Sequence, residues 1–339
     1  MGILRWMAGT ASVKACSGFP WCCDECAAPL PSKGNGTLRP KSVLNRISEE
    51  VASVGRRRKS LHGNLGVVNT EPRRFKLGDL EIEAINDLET MVIEGEIDDY
   101  FSEGIVLRPG DCVIDAGANF GAFSAAAFHR LSGDLRILAF EPVPSTFEVL
   151  ARNLANHFEG TATAFPFGLG SCEDEVDALH FPAMTTLSSV HPELEDAEAK
   201  RERVGRAVKQ MIREGRIFSY LRALPPEVVE SIVDGQVGYI ARPRPFRARI
   251  RPLSRFLDDC AVEEVGLLKV DVEGAELEVL RGIEPHHWPN IRQVVAEVEQ
   301  YVTREPEFRA ILVTQGFEVI SRQDTVQAAG NYGMVYARR

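Results

Sequence analysis

The 339-residue sequence contains no run of about 18 apolar residues, which excludes a transmembrane helix. It has no basic surplus either. Its 49 Asp and Glu outweigh 39 Lys and Arg, giving a net charge of −10. Nucleic-acid phosphates demand a basic surface, so neither nucleic acid nor a membrane is expected as a partner. Internal repeats are absent, which excludes solenoids and propellers. Seven cysteines are too few for a disulfide scaffold in a chain this long. Four of them, Cys16, Cys22, Cys23 and Cys26, crowd into "CSGFPWCCDEC" without the distant second knuckle that structural zinc sites pair. The others, Cys112, Cys172 and Cys260, read as isolated reduced thiols, and a cytoplasmic location is expected. The first 23 residues lack any acid, yet Lys14 and the glycines interrupt every stretch that could serve as a secretory apolar core.

What is present describes an ordinary globular chain, 44% hydrophobic and 26% charged. Charge is unevenly spread. Residues 1–75 carry 12 Lys and Arg against 5 Asp and Glu, a surplus of +7, so the remainder carries −17. Residues 1–70, with "RRRK" at Arg56–Lys59 and one short helix around Ser42–Val54, are expected to form a disordered leader. Residues 71–339 are expected to form the folded domain.

From about Glu71, apolar runs of strand length alternate with segments of helical period, the pattern of a parallel sheet with helices on both faces. Strands are expected at Cys112–Ala116, Arg136–Phe140, Thr161–Phe167, Gly266–Val270 and Gln293–Val298. Helices are expected at Gly121–Leu131, Pro144–His157, Ala275–Gly282 and Glu305–Gln315. The ending "GFEVISRQD…NYGMVYARR" reads as an antiparallel hairpin. Five parallel strands followed by a hairpin match the Rossmann-like α/β sheet of class I methyltransferases, whereas a dehydrogenase reaches its sixth strand by a helical crossover. A charged helical insertion at about residues 191–249, between the third and fourth strands, is placed to form a lid.

The stretch "CVIDAGANFGAFSAAAF" resembles a dinucleotide-binding turn with one glycine missing. Gly117, Asn119 and Gly121 fall one residue short of G-x-G-x-x-G. Asp115, at the strand end, repels a diphosphate but suits a ligand carrying an ammonium group. S-adenosylmethionine has an ammonium and a sulfonium and no phosphate. Asn119 offers a donor and an acceptor to its amino-acid end. Glu141, twenty residues beyond Gly121 in "LAFEP", can accept both ribose hydroxyls.

"VIDAGANFGAFS", "AFEPVPSTFEVLARNL", "PFGLG" and "LLKVDVEGAELEVLRGI" resemble, in order and spacing, the FkbM-type S-adenosylmethionine-dependent methyltransferases. The resemblance runs from about Ile85 to Arg339. "INDLETMVIEGEIDDYFSEGI", "FPAMTTLSSVHPE" and "WPNIRQVVAEVE" add a likeness to the branch associated with polyketide and nonribosomal-peptide pathways. It implies methylation of a hydroxyl on a natural product or sugar, free or tethered to a carrier protein. N- or C-methylation and a catalytically idle binding module are the alternatives. Carried onto this chain, the cofactor site comprises Asp115, Gly117, Asn119, Gly121, Glu141, Pro142 and Gly168.

Hydroxyl methylation is helped by a base. Asp271, at the end of the fourth strand in "KVDVEGAE", is the first candidate as base or acceptor anchor. His180 and His191, which bracket "FPAMTTLSSV", are the others. Asp271, Glu273 and Glu299 together are an alternative divalent-metal set, although no metal is assigned. Deleting Met1–Thr70 is expected to leave the thermal midpoint and cofactor affinity nearly unchanged. A large drop in the midpoint on heating the truncated protein would make the leader part of the fold.

Overall fold

Along a parallel strand covered on both faces, successive side chains enter opposite cores. The computed structural model, which describes residues 73–85, 87–190, 197–214, 219–323 and 332–339, has this arrangement. Five parallel strands, β3 (Asp111–Ala116), β4 (Leu135–Phe140), β5 (Ala162–Phe165), β9 (Leu267–Val270) and β10 (Gln293–Glu299), carry the apolar runs. Val113, Ile137, Leu267 and Val295 pack on one side with Phe120 and Leu150. Their neighbours Ile114, Leu138, Leu268 and Val294 pack on the other with Phe256 and Phe308.

The helices covering the first face are α2 (Ala122–Arg130) and α3 (Pro144–His157). The second is covered by α6 (Leu253–Asp259), α7 (Glu276–Arg281) and α8 (Tyr301–Thr314). The chain closes with β11 (Glu318–Gln323) and β12 (Tyr332–Arg338). β12 inserts antiparallel between β10 and β11, giving the order β11-β12-β10-β9-β3-β4-β5. The expected sheet with its terminal antiparallel hairpin is therefore the one observed.

Several elements depart from expectation. A hairpin, β1 (Arg73–Leu77) and β2 (Leu80–Ala84), precedes the sheet and packs on α2 and α3, and a helix, α1 (Asp87–Glu96), packs against β2. Only alternate positions of β2 are buried, so this short amphipathic pair left no apolar run to read. The insertion is not purely helical. β6 (Gly168–Leu169), β7 (Asp174–His180) and β8 (Arg244–Arg251) form a small sheet of order β6-β8-β7. Arg247, Arg249 and Arg251 alternate with Phe246, Ala248 and Ile250, a period-two pattern hidden by the number of charges. On this sheet ride α4 (Ala197–Glu214) and α5 (Pro226–Ile240), whose own core contains Val204, Val233 and Val237 together with Phe181 and Leu187. α8 starts a turn earlier than expected and takes Pro306 into its second turn, where that residue has no N–H to donate to the i→i−4 ladder. The leader, its cysteine cluster, the expected helix at Ser42–Val54 and His191 lie outside the described residues. Among the described residues, no helix is long and apolar enough to cross a membrane.

Candidate active site

The carboxyl ends of β3, β4 and β9 meet where the strand order reverses, the place ligands occupy in open α/β sheets. Gly117 turns the chain out of β3 with φ +75°, and a Cβ on it would lie 1.7 Å from the Asp271 carbonyl oxygen. Only glycine fits there. Asn119 adopts φ +50°, the left-handed conformation that asparagine tolerates, so it stands where a second glycine would serve.

The donors of this turn are already engaged. The N–H groups of Gly117 and Ala118 donate to the Phe140 carbonyl at 3.1 and 2.9 Å. Asn119 N–H donates to Glu141 Oε2 at 3.0 Å, and Gly121 N–H to Ala118 O at 2.8 Å. These four amides are therefore turned away from the position a pyrophosphate would need.

Lys269 was not singled out from the sequence, and it organises the site. It is Asp115's register partner across β3 and β9, and its side chain is 3% exposed. Its Nζ donates to Gly117 O at 2.7 Å and lies 3.2 Å from Asp115 Oδ1 and 3.4 Å from Asp271 Oδ2. Burial opposes its charge, but the Asp115 and Asp271 carboxylates outweigh that and hold its pKa above the ordinary lysine value. A lone lysine inside the apolar run "VGLLKV" was the available signal.

The role expected of Asp115 needs correction. The side chain is fully buried, Oδ2 accepts the Ser124 hydroxyl at 2.7 Å, and Oδ1 faces Lys269. Its charge is balanced inside the protein and reaches no ligand ammonium. The Asn119 side chain is likewise committed: Nδ2 donates to Glu89 Oε1 at 3.2 Å and Oδ1 accepts from Thr185 Oγ at 2.8 Å.

Glu141, Asp271 and Glu273 remain as the carboxylates of the cleft wall, beside Pro142 and Gly168. Glu141 also accepts the Val143 N–H at 2.9 Å, and burial pushes it up to about 7. Asp271 receives the Tyr100 hydroxyl at 2.9 Å and stays 29% exposed. Glu297 Oε2 lies 3.5 Å from the same phenol; burial, then Asp271 and the nearby Glu96, Glu273 and Glu299 push its carboxyl well above the usual range. Glu273 adopts φ +52°. Backbone strain of this kind clusters at functional sites.

His180, the described histidine among the candidate bases, stands outside the cleft. His180 holds Ser145 Oγ at 3.2 Å through Nε2 and Ser188 Oγ at 3.1 Å through Nδ1, and burial, then Arg244, push it down to about 4. The ring is neutral, and Ser188 rather than His180 lines the cleft. Gly121, with φ +97°, packs against Leu150 at the start of α2, off the cleft. Among the described residues, Asp271, Glu273 and Glu299 do not bring three ligand oxygens within 4.8 Å of one another.

Strand order, antiparallel β12 and this turn define the fold of a class I methyltransferase. Residues 115–319 match the model of the methyltransferase FkbM domain. The chain belongs to the FkbM methyltransferase family. It is 33% identical over 288 residues to methyltransferase sdnD of Sordaria araneosa, covering 81% of this chain and 99% of that one. It is 32% identical over 243 residues to the 31-O-demethyl-FK506 methyltransferase FkbM of Streptomyces tacrolimicus, covering 71% and 85%. With the AMB antimetabolite synthetase AmbE of Pseudomonas aeruginosa it shares 30% identity over 261 residues, 75% of this chain but 12% of the synthetase.

Lys269→Met should leave Asp115 buried without its counter-charge and lower the unfolding free energy by about 3–5 kcal/mol in urea titrations. A loss below about 1 kcal/mol would show that the ammonium fastens nothing.

Proposed function

We propose that the protein transfers a methyl group from S-adenosylmethionine to a hydroxyl of a small natural-product intermediate, free or held on a carrier protein. The observation that carries this reading is the pairing of four internally bonded turn amides with a cleft lined by Glu141, Asp271 and Glu273. Such a donor set disfavours a dinucleotide and suits a cationic nucleoside without phosphate. Glu141 would hold the ribose hydroxyls, with Gly117, Pro142 and Gly168 beside it. Bound there, the cofactor supplies an electrophilic methyl carried on a sulfonium.

Asp271 is the residue best placed to receive an acceptor's proton or to anchor its hydroxyl. Lys269 and Tyr100 hold one oxygen, and the group still faces the cleft. A held carboxylate at this point favours a hydroxyl acceptor, since a nitrogen acceptor needs little base assistance. The Streptomyces relative's name specifies an oxygen as its acceptor, which agrees with this choice. The synthetase match supports a carrier-bound alternative, because the matching stretch lies within a much longer synthetase.

Calorimetric titration should give one S-adenosylmethionine site and no NAD binding. Because Glu141 titrates at about 7 and its carboxylate is the better diol acceptor, affinity should rise with pH and level off above 7. Below that it should fall about tenfold per unit, and Glu141→Gln should flatten the profile. Heat of binding from NAD, or a pH profile identical in Glu141→Gln, would refute the assignment.

Asp271→Asn should keep cofactor affinity within a few-fold while lowering methyl transfer to a hydroxyl acceptor by about 10²–10⁴. Turnover close to that of the parent would remove Asp271 from the mechanism.

A further inference from the structure

Away from the cleft, two consecutive histidines converge on one carboxylate. His286 and His287 lie in the lead-in to β10, beside the amino ends of the strands, whereas the cleft lies at their carboxyl ends. His287 is 6% exposed, and its Nε2 sits 3.3 Å from Asp258 Oδ1. His286 is exposed and points its Nε2 at the same Oδ1 from 3.8 Å. Ligand atoms of Asp258, His286 and His287 all lie within 4.8 Å of one another.

We propose that Asp258, His286 and His287 bind a divalent transition-metal ion of the Zn²⁺ class and so brace the entry to β10 against α6. Three observations support it. First, both histidines turn the same nitrogen inward, and each Nδ1 faces an oxygen: Ser254 Oγ at 2.8 Å for His287 and Glu284 Oε2 at 3.5 Å for His286. Metal-ligating histidines use their second nitrogen in this way, and the tautomer protonated on Nδ1 leaves Nε2 for the ion.

Second, the site stands on rigid backbone. Ser254 is fully buried, its N–H donates to Gly282 O at 3.1 Å, and its Oγ accepts the Glu284 N–H at 2.7 Å. Third, the rings sit 4.0 Å apart, close enough for both Nε2 atoms to reach one ion beside Asp258. Neutral imidazoles are the form that ligates. Two imidazoles and one carboxylate suit Zn²⁺, Ni²⁺ or Cu²⁺ rather than Mg²⁺ or Ca²⁺, which prefer oxygen. Asp258 and His286 are exposed, so a fourth position opens to water.

The leader thiols would also take zinc, so the test uses the full-length chain with Cys16, Cys22, Cys23 and Cys26 replaced by serine and stripped with a chelator. Titration with Zn²⁺ alone should show one equivalent bound and a rise in thermal midpoint. His286→Ala in that background changes an exposed side chain and should weaken binding at least about tenfold to a hundredfold, abolish the thermal shift and leave methyl transfer unaltered. Asp258→Asn should weaken it as well. Two outcomes would overturn the proposal: no Zn²⁺ bound by the four-serine protein, or equal affinity in parent, His286→Ala and Asp258→Asn.

Discussion

One ammonium group fixes the geometry on which the rest of the site depends. Lys269 lies opposite Asp115 in the parallel pairing of β3 and β9, deep enough that water cannot balance either charge. Once that pair forms, Nζ still has two donors to place: one goes to Gly117 O at 2.7 Å, and Ala116 O and Asp271 Oδ2, at 3.3 and 3.4 Å, share the other. The end of β3, the turn and the end of β9 are thus tied to one point. A buried ion pair of this kind is weak evidence for stability, since burying two charges is costly. Its physical contribution is positional: an isosteric apolar pair would fill the space without orienting the turn or Asp271.

The same arrangement explains the electrostatic character of the cleft. Turn amides that in other nucleotide sites face phosphate are directed here at Phe140 O and Glu141. The protein therefore presents carboxylates at the strand ends, and their crowding is visible in their protonation. Glu141 rises to about 7 and Glu297 is pushed well above the usual carboxylate range, each chiefly through burial. Asp271 sits among these acids with Lys269 and Tyr100 as donors. The balance of one buried cation against several acids leaves a site that attracts positive charge.

Much of the fold was legible because its core strands are apolar runs of strand length, and the turn after β3 carries its own signature. The exceptions share a cause. β1, β2, β7 and β8 bury only alternate or occasional residues, so charged side chains fill the sequence between the few that matter. The cleft wall was legible where one motif supplies it, as with Gly117, Glu141 and Asp271. It was not where the partner is remote: Tyr100 reaches Asp271 across 171 positions and Thr185 reaches Glu89 across 96. Asp115 shows the converse limit. Its place at a strand end was read correctly, but a single sequence does not reveal that the facing lysine absorbs its charge.

The outer wall follows from these contacts. Residues Thr185–Val190 leave the insertion's sheet and lie over the strand ends. The Thr185 hydroxyl, which has one proton to give, lies between Glu89 on α1 and Asn119 Oδ1, Glu89 also accepts the Thr186 N–H at 3.1 Å, and Ser189 donates to the Glu273 carbonyl at 2.6 Å. The wall is therefore attached to α1, to the turn and to the loop after β9. As it stands the cleft encloses about 80 Å³, against the roughly 300–1,000 Å³ that ligand sites occupy. Moving this segment would break those hydrogen bonds, at a net of about 0.5–1.5 kcal/mol each. Leu187 and Phe181 belong to the small core of α4 and α5, so displacing the segment also loads the helical pair. The turn and the insertion's helical pair are in this way linked through one short stretch of chain.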